Sequence, residues 1–163
     1  MQTEIDLHQI KVRDSVARTY VQDYLGRGPT YTSIDHEVMI SQRNFKKSDR
    51  VLDAGCGIGY AAVQVAPLVS FVDGIDFSPE SIKLFKQTIK DQKIQNINPV
   101  VGNLTEPLPY ASNSFDKIIS YQVLSYIDPA KLPFTFQEFH RVLKKGGTGC
   151  FTVFKYGFRG HFR

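Results

Sequence analysis

Arg50-Val51-Leu52-Asp53-Ala54-Gly55-Cys56-Gly57-Ile58-Gly59-Tyr60 decides the fold of this 163-residue chain. A short apolar strand ends in an acid and runs into three glycines at alternate positions. Glycine removes the Cβ where a backbone turns sharply and lets another group approach closely. The next residues, Ala61-Ala62-Val63-Gln64-Val65-Ala66, read as a helix. Strand, glycine turn and helix start together predict a small-molecule site at the carboxyl end of a strand.

Downstream of this stretch the chain alternates. Strand 50–54 leads to a helix over 59–67, and Phe71-Val72-Asp73-Gly74-Ile75-Asp76 is a second strand. A helix over 79–93 follows, with Ser78 as its N-cap, Pro79 at its first position and Ile82, Phe85 and Ile89 on its apolar side. Asn98 to Gly102 is a third strand. The loop 103–114 holds Pro107 and Pro109, each of which disfavours helix before it. Asp116-Lys117-Ile118-Ile119-Ser120 is a nearly continuous apolar strand, as burial on both faces requires. A helix near 133–144 is expected to end at Lys144-Lys145-Gly146-Gly147, with lysines at the negative end of its dipole and a left-handed glycine cap. Thr148 to Phe154 is the fifth strand. The pattern predicts an α/β fold, a doubly wound parallel sheet in the order 3-2-1-4-5 with right-handed crossovers.

Upstream, residues 5–26 read as a helix stopped by Gly26-Arg27-Gly28-Pro29, and residues 33–45 as a weaker one. Lys46-Lys47-Ser48-Asp49 turns into the first strand. The chain thus divides into an N-terminal helical cap over 1–47, a core over 48–154 and a basic, aromatic tail over 155–163.

Charge and composition narrow the function. The net charge is +4. Lys155, Arg159 and Arg163 supply three of those charges, which leaves +1 for everything before the tail. A general nucleic-acid footprint is not indicated. Cys56 and Cys150 stand alone, outside any metal-ligand spacing, so no metal site is expected. Two lone cysteines fit a reducing compartment. No run approaches the roughly 18 apolar residues of a membrane span, and the acidic start does not suit a signal peptide. A cytoplasmic protein is expected.

Two familiar uses of a glycine loop fit poorly. Tyr60-Ala61 follows Gly59 where a phosphate loop needs Gly-Lys-Ser/Thr. A dinucleotide loop needs a third glycine at 60, which is tyrosine. It would also set a pyrophosphate beside Asp53, where like charges repel. A ligand carrying an ammonium and a sulfonium gains from the same carboxylate. Asp76, ending the second strand, is placed to accept from both hydroxyls of a ribose.

Val51 to Gly59 resembles the first motif of the class I S-adenosylmethionine-dependent methyltransferases, particularly the small-molecule enzymes of the ubiquinone and menaquinone biosynthesis type. Further matches follow in order. They are Gly74-Ile75-Asp76-Phe77-Ser78-Pro79-Glu80, then Gly102-Asn103-Leu104 running to Asn113-Ser114-Phe115-Asp116, then Ser120-Tyr121-Gln122-Val123-Leu124, and last Arg141-Val142-Leu143-Lys144-Lys145-Gly146-Gly147. The resemblance implies a Rossmann-like core, S-adenosyl-L-methionine as cofactor and S-adenosyl-L-homocysteine as product. It implies that Asp53, Ala54, Gly55, Cys56 and Gly57 hold the methionine end. Asp76 would take the ribose and Phe77 would pack on the adenine. Asn103 and Leu104 would line the adenine pocket, with Ser120 in the segment behind it and Tyr20 closing over the cofactor. The family more often has Asp where this chain has Asn103; the amide carbonyl is expected to accept from the adenine amine.

Methyl transfer to a small-molecule acceptor is the expected reaction. It needs positioning and exclusion of water, and a general base only for a poorly ionised acceptor. His36, Tyr31, Gln122 and Tyr126 are the candidates for such a base. The family's sheet has seven strands, and this chain stops shortly after the fifth. Two strands are therefore expected to be missing, and Cys150 to Phe154 to form an exposed edge open to pairing in a homodimer. A non-catalytic cofactor-binding or scaffold module is the alternative.

Overall fold

The computed structural model describes residues 10–15, 17 and 44–153. Five strands form one parallel sheet: β1 (Arg50–Ala54), β2 (Phe71–Asp76), β3 (Ile97–Val101), β4 (Phe115–Tyr121) and β5 (Leu143–Thr152). Helices α1 (Tyr60–Val65), α2 (Pro79–Asp91) and α3 (Leu132–Val142) make the crossovers. The order is β3-β2-β1-β4-β5, as the sequence predicts.

β1 lies at the centre, in register with β2 through Asp53 opposite Gly74 and with β4 through Asp53 opposite Ile119. Successive side chains of a strand point to opposite faces. Val51 accordingly joins Val65, Val72, Phe85 and Ile119 in one core layer, and Leu52 joins Ile75, Ile118, Phe139 and Val142 in the other. Pro99, which has no ladder N–H to donate, sits in β3 at the sheet's edge, where a proline is tolerated.

Several boundaries differ from expectation by a few residues, and the ends of the first and third helices do so for clear physical reasons. The first helix gives way to a 3-10 turn over Ala66–Leu68, because Pro67 cannot donate the next helical N–H. The third helix ends at Val142, and Leu143 is already extended. No glycine cap is used there. The N–H groups of Asn113 and Ser114 donate to the carbonyls of Arg141 and Val142, at 2.9 and 2.8 Å. Those carbonyls are satisfied by the loop instead. Lys144 reaches Asp116 at 2.8 Å, and Gly146 takes its positive φ of 79° inside β5, between the pairings of Leu143 and Thr148. β5 begins at Leu143, five residues before the expected Thr148.

Residues 10–15 and 17 are helical, within the predicted first helix. Residues 44 and 45 are not helical, although the second predicted helix reached them. The rest of both helices lies outside the described residues, as do Tyr20, Tyr31, His36 and the tail over 155–163. Among the described residues no helix is long and apolar enough to cross a membrane, and no cluster of metal-ligating side chains occurs.

Candidate functional site

The glycine loop is built by three glycines with different duties. All three have left-handed backbones, with φ of 81° at Gly55, 53° at Gly57 and 87° at Gly59. A Cβ at Gly55 would overlap Val123, and one at Gly59 would overlap the ring of Phe85. Those two close the loop onto the protein. A Cβ at Gly57 would meet nothing within 4 Å. The middle glycine therefore presents bare backbone to open space, as a ligand cradle requires.

Backbone bonds weld this loop to β2. The N–H groups of Gly55 and Cys56 both donate to the carbonyl of Ile75, at 2.7 and 3.0 Å. Gly57 N–H donates to Asp76 Oδ2 and Ser78 N–H to Asp76 Oδ1, each at 2.9 Å. Burial raises the Asp76 carboxyl above its ordinary range, while the Ser78 and Gly57 donors and the charge of Arg13 pull it back. Each Asp76 oxygen retains lone-pair capacity beyond its one backbone bond.

Asp53 is buried and its Oδ2 has no hydrogen-bond partner. Burial first, then the negative charge of Asp76, push its carboxyl up to about 7, against one N–H contact from Ala62. A buried carboxylate without a partner is costly. It becomes favourable when a cation enters beside it. The same surroundings push the thiol of Cys56 well up, through burial and then Asp53 and Asp76. Cys56 and Cys150 are both free and buried.

The other predicted residues within the described part of the chain have the following surroundings. Ala54 ends β1, fully buried, and its carbonyl accepts from Ser120 Oγ at 2.8 Å. Ser120 is itself fully buried, so its hydroxyl ties β4 to β1. Phe77 is partly exposed beside Asp76. Leu104 is buried in the core layer under the third helix. Asn103 Oδ1 accepts from both the N–H and the hydroxyl of Thr105, each at 3.0 Å. The amide carbonyl holds its own loop, which leaves the N–H2 as the group Asn103 can offer a ligand. Gln122 has a left-handed φ of 55°. Its N–H is fixed by Thr152 and its amide donates to the Tyr121 hydroxyl at 3.3 Å. Tyr126 is partly exposed and lies under the Arg13 guanidinium, 3.9 Å from the ring centre.

Sequence reasoning missed Arg13, Asp14 and Val123. Asp14 Oδ1 accepts from the hydroxyl of Ser78, and at 3.3 Å from the N–H of Glu80. Neighbouring residues of the N-terminal helical segment thus reach Ser78 beyond β2 and Tyr126 beyond β4. They straddle the glycine loop between those strands. The one available signal was Ser78, whose N-cap role is borne out by its bond from Ser81 N–H at 3.1 Å.

Comparisons with known proteins agree with this geometry. A family model described as methyltransferase domain matches residues 51–147, more than half of the chain. An uncharacterised protein of Methanocaldococcus jannaschii is 33% identical over 140 residues, covering 86% of this chain and 49% of its own. The demethylmenaquinone methyltransferase of Geobacillus kaustophilus is 32% identical over 131 residues, covering 76% of this chain and 54% of its own. The chain thus spans about half the length of these curated relatives. Among solved structures, the YcgJ protein of Bacillus subtilis superposes with a TM-score of 0.67 at 26% identity, over 72% of this chain and 49% of that one.

Proposed function

This chain belongs to the methyltransferase domain family, and from that premise we propose that it binds S-adenosylmethionine and transfers its methyl group to a small-molecule acceptor. The observation that carries the reading is the unpartnered Oδ2 of buried Asp53, behind a glycine loop that is open at Gly57. The residues fit the cofactor. Asp53 would face the cationic methionine end, Gly57 would let the backbone approach it, and Asp76 would accept from the ribose hydroxyls. Phe77 would cover one face of the adenine, and Asn103 and Leu104 would border its edge. When bound, the cofactor supplies a methyl carbon already activated by sulfonium.

The chain's own task is then positioning and exclusion of water. Arg13 and Tyr126 stand where they would wall the cleft. Tyr126 and Gln122, which follow β4, would face the acceptor. The relative described as demethylmenaquinone methyltransferase supports a small-molecule acceptor. Two free, buried cysteines support a reducing, cytoplasmic setting.

Calorimetric titration with S-adenosylmethionine and S-adenosylhomocysteine tests the reading. Binding in the micromolar range is expected, and no heat of binding at millimolar ligand would overturn it. A screen with cofactor labelled in the methyl group, across phenolic, quinol and amine acceptors, then identifies the acceptor class.

A further inference from the structure

We propose that one stripe of the third helix sets the base specificity of the cleft, with Thr135 as the positioning residue. This rests on the cofactor reading above, in which Asn103 and Leu104 border the base. Thr135, Glu138 and Arg141 follow one another at intervals of three along α3, so they lie on one side of it. The hydroxyl of Thr135 donates to the Leu104 carbonyl at 3.0 Å. Glu138 Oε2 accepts from Leu108 N–H at 2.7 Å. Arg141 donates to the Tyr110 and Leu108 carbonyls at 2.7 and 3.1 Å, and forks onto both oxygens of Glu138 at 2.7 Å each.

Four backbone groups between residues 104 and 110 therefore take their partners from one helix. Pro107 and Pro109, within the same span, have no N–H to hold it from inside. Leu104 is where two restraints meet. On its N-terminal side, the Asn103 carbonyl is occupied by Thr105. On its C-terminal side, its own carbonyl is held by a hydroxyl with no exposed surface. Thr135 touches no ligand, being wholly buried. It fixes the peptide that presents the Asn103 N–H2 to the base. The geometry assigns this position a donor, so the base is read there at an acceptor atom.

Three ligands titrated into the full chain test the assignment: S-adenosylhomocysteine, S-inosylhomocysteine, in which oxygen replaces the base amine, and S-ribosylhomocysteine, which has no base. In Thr135→Val, S-adenosylhomocysteine is expected to bind about tenfold more weakly. Its preference over the inosyl compound should shift by several-fold, and the base-free ligand should change by less than about twofold. Thr135→Ser should restore all three values. In the ligand-free variant, the amides of Thr105, Glu106 and Leu108 should exchange with solvent about tenfold faster. Arg141→Lys, which keeps the charge and loses the fork, carries the same readouts if Thr135→Val does not fold. Equal weakening of all three ligands, or unchanged base preference and unchanged exchange, would overturn the role of Thr135. Failure of the unaltered chain to bind any of the three would overturn the cofactor reading itself, and this inference with it.

Discussion

The backbone N–H of Gly57 donates to Asp76 Oδ2 at 2.9 Å, joining the open point of the glycine loop to the acid that ends the neighbouring strand. Neither can move without the other. Asp76→Ala deletes the acceptor for both Gly57 and Ser78. We expect S-adenosylhomocysteine to bind about 10- to 100-fold more weakly in this variant, with slower-relaxing loop signals lost from the amides of residues 55–58. Calorimetry and amide spectra check both; an unchanged affinity would remove Asp76 from the site.

Asp53 makes affinity and stability oppose each other with pH. Its carboxyl is pushed up to about 7 in the folded chain, from an ordinary value of 3.8. The folded state thus holds a proton that the unfolded state has released between these values. Stability of the ligand-free chain should fall as pH rises from about 4 to about 7 and then level off. A cationic ligand favours the ionised form, so cofactor affinity should rise as pH goes from 6 to 7, with release of a proton. Titrations in buffers of different ionisation heat measure that release. Asp53→Asn should abolish it and flatten much of the stability slope; Asp76, which burial also raises, adds a slope of the same sign.

Glycines 57 and 59 should answer the same substitution differently. Gly59→Ala drives a methyl into Phe85 at a φ of 87°, and a loss of about 3 kcal/mol of stability is expected from overpacking and strain together. Gly57→Ala meets open space at a φ of 53°, and only about 1 kcal/mol is expected, from the left-handed backbone. Yet the Gly57 variant should be the one that folds and fails to bind cofactor. Thermal melts with and without ligand separate the cases, and a Gly57→Ala chain with full affinity would contradict the cradle.

Asp14 should tie the N-terminal helical segment to the site. Its carboxylate accepts from Ser78 and Glu80. In Asp14→Ala, trypsin is expected to cut after Lys11 and Arg13 several-fold faster, at a rate that follows local opening. Saturating S-adenosylhomocysteine should slow cleavage in the unaltered chain more than in the variant. Equal rates in both chains would show that the segment is held elsewhere.

Glu138 and Arg141 give a prediction about stability alone. Glu138 is buried while the Arg141 guanidinium reaches partly into solvent, and Arg141 holds the Glu138 carboxyl below its ordinary range. Glu138→Ala leaves the Leu108 N–H without its partner and the guanidinium with only its two carbonyl acceptors. A loss of about 2 kcal/mol is expected by chemical denaturation, against a smaller loss for Glu138→Gln.

The sheet order was legible because period, acid and glycine each carry local information. Val51 to Gly59 reads as strand and loop without help from the rest of the chain, and Asp76 marks the end of the next strand in the same way. The end of α3 was not legible. Lys144 to Gly147 carries every local signal of a helix cap, but the N–H groups of Asn113 and Ser114 reach the last carbonyls first. The partners of Asp14 were hidden for the same reason, because Ser78 lies 64 residues away. Asn103 shows a finer limit. Its residue type names both a donor and an acceptor, and only the contact with Thr105 decides which one is left over.

β1 is the middle strand, and the glycine loop inherits its kinetics. Asp53 is paired on one side with Gly74 and on the other with Ile119, so the loop takes shape only when distant parts of the chain have met. Pairings between parts so far apart in the chain slow folding. Once made, they open only when the whole sheet opens. A ligand gripping this loop should therefore stabilise the entire native state rather than one edge of it.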